Sequence, residues 1–490
     1  MRLLIITVIV FSMMMSWSCK KEEQPEEGLI KGLELSEKQE FRQGYPADKE
    51  AVQRLYDQMD LQRASQAYMW SFPAVSFQSI YEGTKAKGAD WNDMFIADKF
   101  ANSNSLVLTA NTTTIYAQCN FNLKNGPIVI EVPISPFVGM IDDFWQRSLT
   151  DLGLAGPDKS QGGKYFIIPP GYQGEVPNEG YFVIQATQNS HNFMIRGIVE
   201  GDNVGKTVAS MKKTKVYPWS ESANPKPNQW FSFSDHAVDT VPPQGLEYWR
   251  RLSDFINDNP VEERDRFFIA MLKYLGIEKG KPFNPDERQK KILIEGAKLG
   301  DAMSRVTLFD PRIEGAQVWP NRTWKWAVLL NPDQRDQYYE QIDERLHWFY
   351  GAIYMTPAMA LRQAGPGSQY VQTFTDSDHN WLDGSHTYKL RVPPNAPAKD
   401  FWSITLYDSE TRSLVQNKST IPAISSYDKL KLNDDGSVDL YFAPQAPKGW
   451  ENNWIETLPG KGFFVWFRSY HPTEGLFDGS WMLADVEKVE

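Results

Sequence analysis

Cysteine is nearly absent, with Cys19 and Cys119 the two in 490 residues. That leaves no disulfide framework, so stability has to come from packing, and Cys119 is expected to be a buried, inert thiol in a strand. Histidine is scarce too. Its six copies (residues 191, 236, 347, 379, 386 and 471) include no pair at i, i+4, so a metal site would have to be assembled by the fold. No His-Glu-x-x-His, Gly-x-Ser-x-Gly or Cys-x-x-Cys is present. Basic charge is outweighed, 51 Lys and Arg against 62 Asp and Glu, for a net charge of −11. That excludes a nucleic-acid footprint, and it disfavours anionic ligands unless a local Arg cluster overrides the field. A membrane-spanning run is also missing: the apolar stretch 3–17 is shorter than the ~20 residues a spanning helix needs.

What is there begins with a targeting signal. Met1-Arg2, the apolar run and Ser18-Cys19 have the order of a secretory signal, and Ser16 and Ser18 before Cys19 make it resemble a bacterial lipoprotein signal. On that reading Cys19 is the lipidated mature N-terminus; the alternative is an ordinary signal peptide with an incidental Cys. The expected address is the cell envelope, lipid-anchored at the outer membrane, on its periplasmic or surface-exposed face. Residues 19–48 read as a flexible tether whose Cys-Lys-Lys-Glu-Glu start resembles an acidic export tag or is a solvated linker.

Beyond it the chain is globular, with 41% hydrophobic and 23% charged residues, and 13% aromatic residues suited to large β cores or to stacking on planar ligands. Val52, Leu55, Tyr56 and Met59 recur at helical spacing and predict a core-facing helix, with a break or kink at Pro73. Short β-rich runs at 106–109, 128–132, 165–168, 181–184 and 193–199, separated by Gly, Pro and Asn, suggest a sandwich or barrel-like sheet. The middle third reads as helical, with three Asn-Pro starts at Asn259, Asn284 and Asn331 as expected N-caps and Gly276 as a stop. After residue 360 strands return at 387–392, 401–407, 438–442 and 463–470, with three Asp-Gly-Ser turns starting at Asp383, Asp435 and Asp478.

Two weak motifs are set aside. Gly162-Gly163-Lys164 is followed by Tyr165 where a phosphate loop needs Ser or Thr, and Asp376-Ser377-Asp378-His379-Asn380 has Trp381 where a calcium loop needs Gly, leaving an Asp-rich turn as the better reading. No cofactor or metal is expected.

The segment from Phe401 to Asp408, with Asn433-Asp434-Asp435-Gly436-Ser437, Asn453-Trp454, Arg468-Ser469-Tyr470-His471-Pro472 and Trp481, resembles the bacterial domain-of-unknown-function family 1214. Upstream, the segment from Thr109 to Tyr116, that from Gly126 to Pro133 and that from Gly163 to Gly171 resemble family 1254, its usual N-terminal companion. The resemblance implies an α+β chain of two β-sandwich, jelly-roll-like domains with a helical insertion. The expected boundaries are signal 1–18, tether 19–48, N-terminal helix and β domain 49–243, helical segment 244–360 and C-terminal β domain 361–490.

Two polar clusters are candidate sites. In the first, Asn111, Thr113, Tyr116, Trp145 and Arg147 are expected to line a ligand site, and Asp143 with Asp151 to form an acid–base pair, provided the fold brings them together. The alternative pairs the acids with Arg147. In the second, Trp402, Tyr407, Arg468 and Tyr470 are expected to line a groove, where Arg468 beside Tyr470 suits a carboxylate or carbonyl. Three functions stay open: a hydrolase of small amides, esters or glycosides, a non-catalytic lipoprotein binding a carbohydrate or aromatic ligand, and a homo-oligomeric scaffold.

Overall fold

The computed structural model describes residues 40–199, 203–234, 241–365, 367–418 and 421–489. The expected signal, Cys19 and the tether up to residue 39 lie outside them, as does His236. The chain divides between Gln58 and Met59 into two units. The described part of the first holds a two-residue-strand hairpin, β1 (Phe41–Arg42) and β2 (Tyr45–Pro46), and an Arg54–Glu40 ion pair at 3.1 Å.

Helix α1 spans Lys49–Lys85. Its first turns carry the expected apolar stripe, yet Val52, Tyr56 and Met59 are exposed. Amphipathic spacing says which face is apolar but does not supply a partner for it. From Ala64 to Tyr81 nearly every residue is buried, and the helix runs unbroken through Pro73, whose carbonyl accepts from Gln146 Nε2 at 2.9 Å. Packing around that stretch overrides the local penalty of the proline. Helix α5 (Glu287–Phe309) lies close against α1: a Cβ on Gly296 would stand 2.3 Å from the Ala64 Cβ, so the approach requires glycine there.

The N-terminal β region has two sheets. The larger is ordered β12 (Trp230–Ser232), β3 (Met94–Ala97), β4 (Ile115–Asn122), β10 (Ser190–Gly197), β6 (Val138–Asp143), β7 (Ser148–Gly153). The smaller is β11 (Lys215–Pro218), β5 (Ile128–Val132), β8 (Gly163–Ile168), β9 (Phe182–Gln185). One face of each contributes to a common core, with Ile115, Ala117 and Cys119 from β4 and Ile128, Ile130, Tyr165 and Ile167 from the smaller sheet. Cys119 is fully buried there, and burial pushes its thiol pKa far up, as expected of an inert cysteine.

The C-terminal region repeats the pattern. A five-stranded sheet, β13 (Lys325–Trp326), β14 (Ser368–Thr373), β20 (Phe463–Pro472), β16 (Ala398–Asp408), β17 (Ala423–Ser425), shares a core with a four-stranded sheet, β19 (Trp454–Glu456), β18 (Val438–Ala443), β15 (Tyr388–Val392), β21 (Glu487–Lys488). All three Asp-Gly-Ser triplets share one bond, the Asp side chain accepting from the Ser amide at 2.8, 2.9 and 2.8 Å.

Between the β regions lie α3 (Leu246–Asp258), α4 (Arg266–Leu272), α5, α6 (Ile342–Phe349) and α7 (Pro357–Ala360), α2 (Val204–Met211) belonging to the N-terminal region. None of the three Asn-Pro steps is an N-cap. Asn259 ends α3, its side chain accepting from the amides of Asn189 and Ser190 at 2.9 and 2.8 Å. At Asn284 the cap is two residues later, where Asp286 and Gln289 form a capping box. At Asn331 the chain makes a turn, Gln334 N donating to Asn331 O at 2.9 Å. Asn-Pro is as much a turn signal as a helix start, and here the turn wins. Gly276 does adopt the left-handed conformation of a stop, at φ +80°.

The third and largest core joins these parts. It gathers Trp70, Phe72 and Phe77 from α1, Trp249 and Phe255 from α3, Met140 and Met194 from the larger N-terminal sheet, and Tyr370, Tyr407 and Trp466 from the five-stranded sheet. The fold is therefore α+β, with both large sheets turning their second face toward a helical layer.

Candidate functional site

Strand alternation places the site. In β10 the side chains of Phe193 and Ile195 point into the N-terminal core, so Met194 and Arg196 point the other way. Arg196 is directly opposite Tyr116 on β4 and Val138 on β6, and Met194 is opposite Gln118 and Met140. In the C-terminal sheet Ile404, Leu406, Val465 and Phe467 fill their own core, which leaves Thr405, Tyr407, Trp466 and Arg468 on the second face. A cavity of about 220 Å³ lies where these two faces meet. Phe95, Tyr116, Met140, Met194, Tyr370 and Trp466 form much of its wall, and Ile80 and Thr84 of α1 close one side.

Its polar edge crosses between the two β regions. Arg468 donates to Thr405 Oγ1 at 3.0 Å, to the Thr109 carbonyl at 3.2 Å and to the Tyr407 hydroxyl, and Tyr407 donates to the Ala110 carbonyl at 2.8 Å. Asn111 Nδ2 donates to the Tyr470 hydroxyl at 2.8 Å while its Oδ1 accepts from the Thr113 amide at 2.8 Å. The Thr113 and Tyr470 hydroxyls are 3.1 Å apart. Burial raises the Tyr116 phenol pKa against the opposing pull of Arg196, keeping it protonated and able to donate. At the far wall the Tyr354 hydroxyl lies 2.8 Å from both Gln118 Oε1 and Asn192 Oδ1. Two wall residues have left-handed backbones without being glycine, Tyr354 at φ +67° and Thr109 at φ +41°, and each is held by its own amide, donating to Gln146 Oε1 at 2.7 Å and to the Arg412 carbonyl at 2.8 Å. Strain of that kind collects at ligand clamps.

Of the residues singled out in the sequence, Asn111, Tyr116 and Arg468 line the cavity, and Thr113, Tyr407 and Tyr470 bond to them. The others lie elsewhere. Trp402 is in the C-terminal core, 6.3 Å from the Phe467 ring, because it shares the parity of Ile404 and Leu406. Trp145 packs between Trp70 and Phe255 at 4.8 and 5.1 Å. The expected acid–base pair is not assembled: Asp143 is opposite His191 and Asp151 is on the strand position opposite Met140, which share no sheet face. Asp143 instead binds Arg147, Nε to Oδ2 at 2.8 Å, and Arg147 also pairs with Glu262. Burial raises the Asp143 pKa in spite of Arg147; at Glu262 burial pushes up too, but Arg147 and its neighbours hold the carboxyl below its ordinary range. Arg196, Tyr370, Trp348 and Trp466 line the cavity without having been singled out. For Arg196 the signal was present, a lone cation alternating with Phe193 and Ile195.

Residues 91–218 match the family described as "Protein of unknown function (DUF1254)" and residues 367–474 match "Protein of unknown function (DUF1214)". The VPA0106 protein from Vibrio parahaemolyticus is 18% identical, with 88% of this chain and 100% of that one covered and a TM-score of 0.54, which speaks to the fold. An uncharacterized protein from Burkholderia cenocepacia is 12% identical over 92% of this chain and 93% of its own, with a TM-score of 0.40. No curated protein matches the sequence.

Proposed function

We propose that this chain, carrying the two families in tandem, is a lipid-anchored binding protein for a small, largely apolar molecule held between its β regions. The carrying observation is the make-up of the cavity wall: aromatic and aliphatic side chains with a few polar groups, and no Asp, Glu, His or Cys among the described lining residues. Hydrolysis by paired carboxylates is less well supported, since such pairs stand about 5–9.5 Å apart across a substrate and these acids face away from one another. The apolar wall favours an aromatic or aliphatic ligand over a carbohydrate. In the same reading each pair of sheets is a jelly-roll-like sandwich, in keeping with its shared core.

Met140→Trp fills the cavity from β6. Isothermal titration with a panel of single-ring and medium-chain compounds should show binding to wild type and at least about tenfold weaker binding to the variant. Overpacking costs about 1–3 kcal/mol, so thermal unfolding is followed in parallel. Equal affinities in a folded variant would overturn the cavity as the binding site.

The anchor has its own test. A labelled fatty acid fed to cells should be incorporated into wild type and not into Cys19→Ala. Equal labelling would leave a secreted, unanchored protein. More than one acyl chain is expected, because a single chain holds only marginally.

A further inference from the structure

The charged groups on the cavity wall have one sign. Among its described lining residues they are Lys99, Arg196 and Arg468, in a chain whose net charge is −11. Arg196 comes from the N-terminal sheet and Arg468 from the C-terminal sheet, and both are neighbours of the Tyr370 and Tyr470 phenols. Arg468 is 2% exposed and lies over the Trp466 ring at 4.9 Å, with three of its hydrogen bonds going to neutral oxygens. Neither arginine forms an ion pair among the described residues, whereas Arg147, which is also largely covered, has two. A guanidinium does not shed its proton, and a buried charge with no counter-charge is costly to keep. Arg196 is only partly covered by protein and lines the cavity.

We infer that the cavity takes an organic monocarboxylate, its head on Arg196 and the Tyr116 and Tyr370 hydroxyls, its apolar body against Met140, Met194 and Phe95. The guanidinium fork matches the two oxygens of a carboxylate. The volume, about 220 Å³, is somewhat more than the ~150 Å³ known to hold benzene, which suits an aryl or medium-chain acid. This rests on the binding reading above and names its ligand class.

The probes are phenylacetate and octanoate, their neutral counterparts phenylacetamide and octanol, and phenylphosphonate, titrated calorimetrically into wild type, Arg196→Gln and Arg196→Lys. The acids should bind wild type at least about tenfold more tightly than the neutral compounds. Arg196→Gln should abolish that preference, weakening the acids far more than the neutral compounds, and Arg196→Lys should restore part of it. Equal affinity of acids and neutral compounds for wild type would overturn the carboxylate assignment while leaving the cavity as a site. Tighter binding of phenylphosphonate than of phenylacetate would also overturn it, in favour of a phosphoryl head. Failure of every probe to bind would overturn the cavity reading and this inference with it. Should Arg196→Gln not fold, the wild-type comparison decides.

Discussion

Replacing Arg147 with methionine should lower folding stability by about 3–5 kcal/mol at neutral pH, the usual cost of removing one partner from a buried ion pair. Arg147 is 13% exposed and joins Asp143, 3% exposed, to Glu262, 19% exposed. Without it Asp143 keeps one amide bond, from Arg147 N at 3.1 Å, and no cation. The pKa of Asp143 is already raised by burial in the folded protein and would rise further. A carboxyl with a raised folded pKa favours folding at acid pH and loses that advantage as pH climbs through the folded value. The variant's deficit should therefore be largest above neutrality and shrink toward pH 4. Urea midpoints at several pH values measure it, and the double variant with Asp143→Asn should recover part of the loss. A midpoint equal to wild type at pH 7 would overturn the structural role given to the pair.

The second large effect is acid sensitivity through His191. Its ring is fully buried, stacked 5.1 Å from Phe121, with Nδ1 3.2 Å from the Asn189 carbonyl, and burial lowers its pKa to about 3. The unfolded chain takes up a proton near pH 6.5 and the folded one not until about pH 3, so stability is lost as pH falls through that window. The slope from this group is about 1.4 kcal/mol per pH unit at most. Burial lowers His347 in the same direction, while Asp142, raised by burial, acts oppositely and is most favourable at acid pH. The comparison that isolates His191 is with His191→Phe, which keeps the stacked ring. Between pH 7 and pH 5 wild type should lose about 2 kcal/mol more than the variant. Parallel losses in the two proteins would show that His191 does not set the acid limb.

Local chemistry was legible where local chemistry decided the outcome. The strand expected at 128–132 is β5 (Ile128–Val132), and the Asp-Gly-Ser turns form as read, because a short apolar run and an Asx turn need only their own residues. The expected strand at 106–109 is a turn instead, its Thr109 held at φ +41° by a bond to Arg412 far along the chain. The Asn-Pro steps divide: at Asn259 tertiary partners, the amides of Asn189 and Ser190, took the side chain, while at Asn284 and Asn331 a nearby capping box and a local turn won over the expected cap. In the site, Trp402 and Tyr407 were both expected in the groove, yet strand parity puts Trp402 in the core beside Ile404 and Leu406 and only Tyr407 on the face toward the cavity. Arg196 carried the same lone-cation pattern as Arg468. What lifted it to importance, a second sheet facing it across about 220 Å³ of empty space, is a property of tertiary structure alone.

The bonds from Arg468 to the Thr109 carbonyl, from Tyr407 to the Ala110 carbonyl and from Asn111 to Tyr470 each join one family segment to the other, and each segment supplies one wall of the cavity. The cavity is thus not a possession of either segment that the other assists. It arises at their seam. A gene that carried one segment without the other would lose the pocket whole, and a substitution on one wall acts on the fit of the residues on the other. The tandem is in that sense a single hereditary unit, and its two halves are expected to change in step along the seam while their outer faces drift apart.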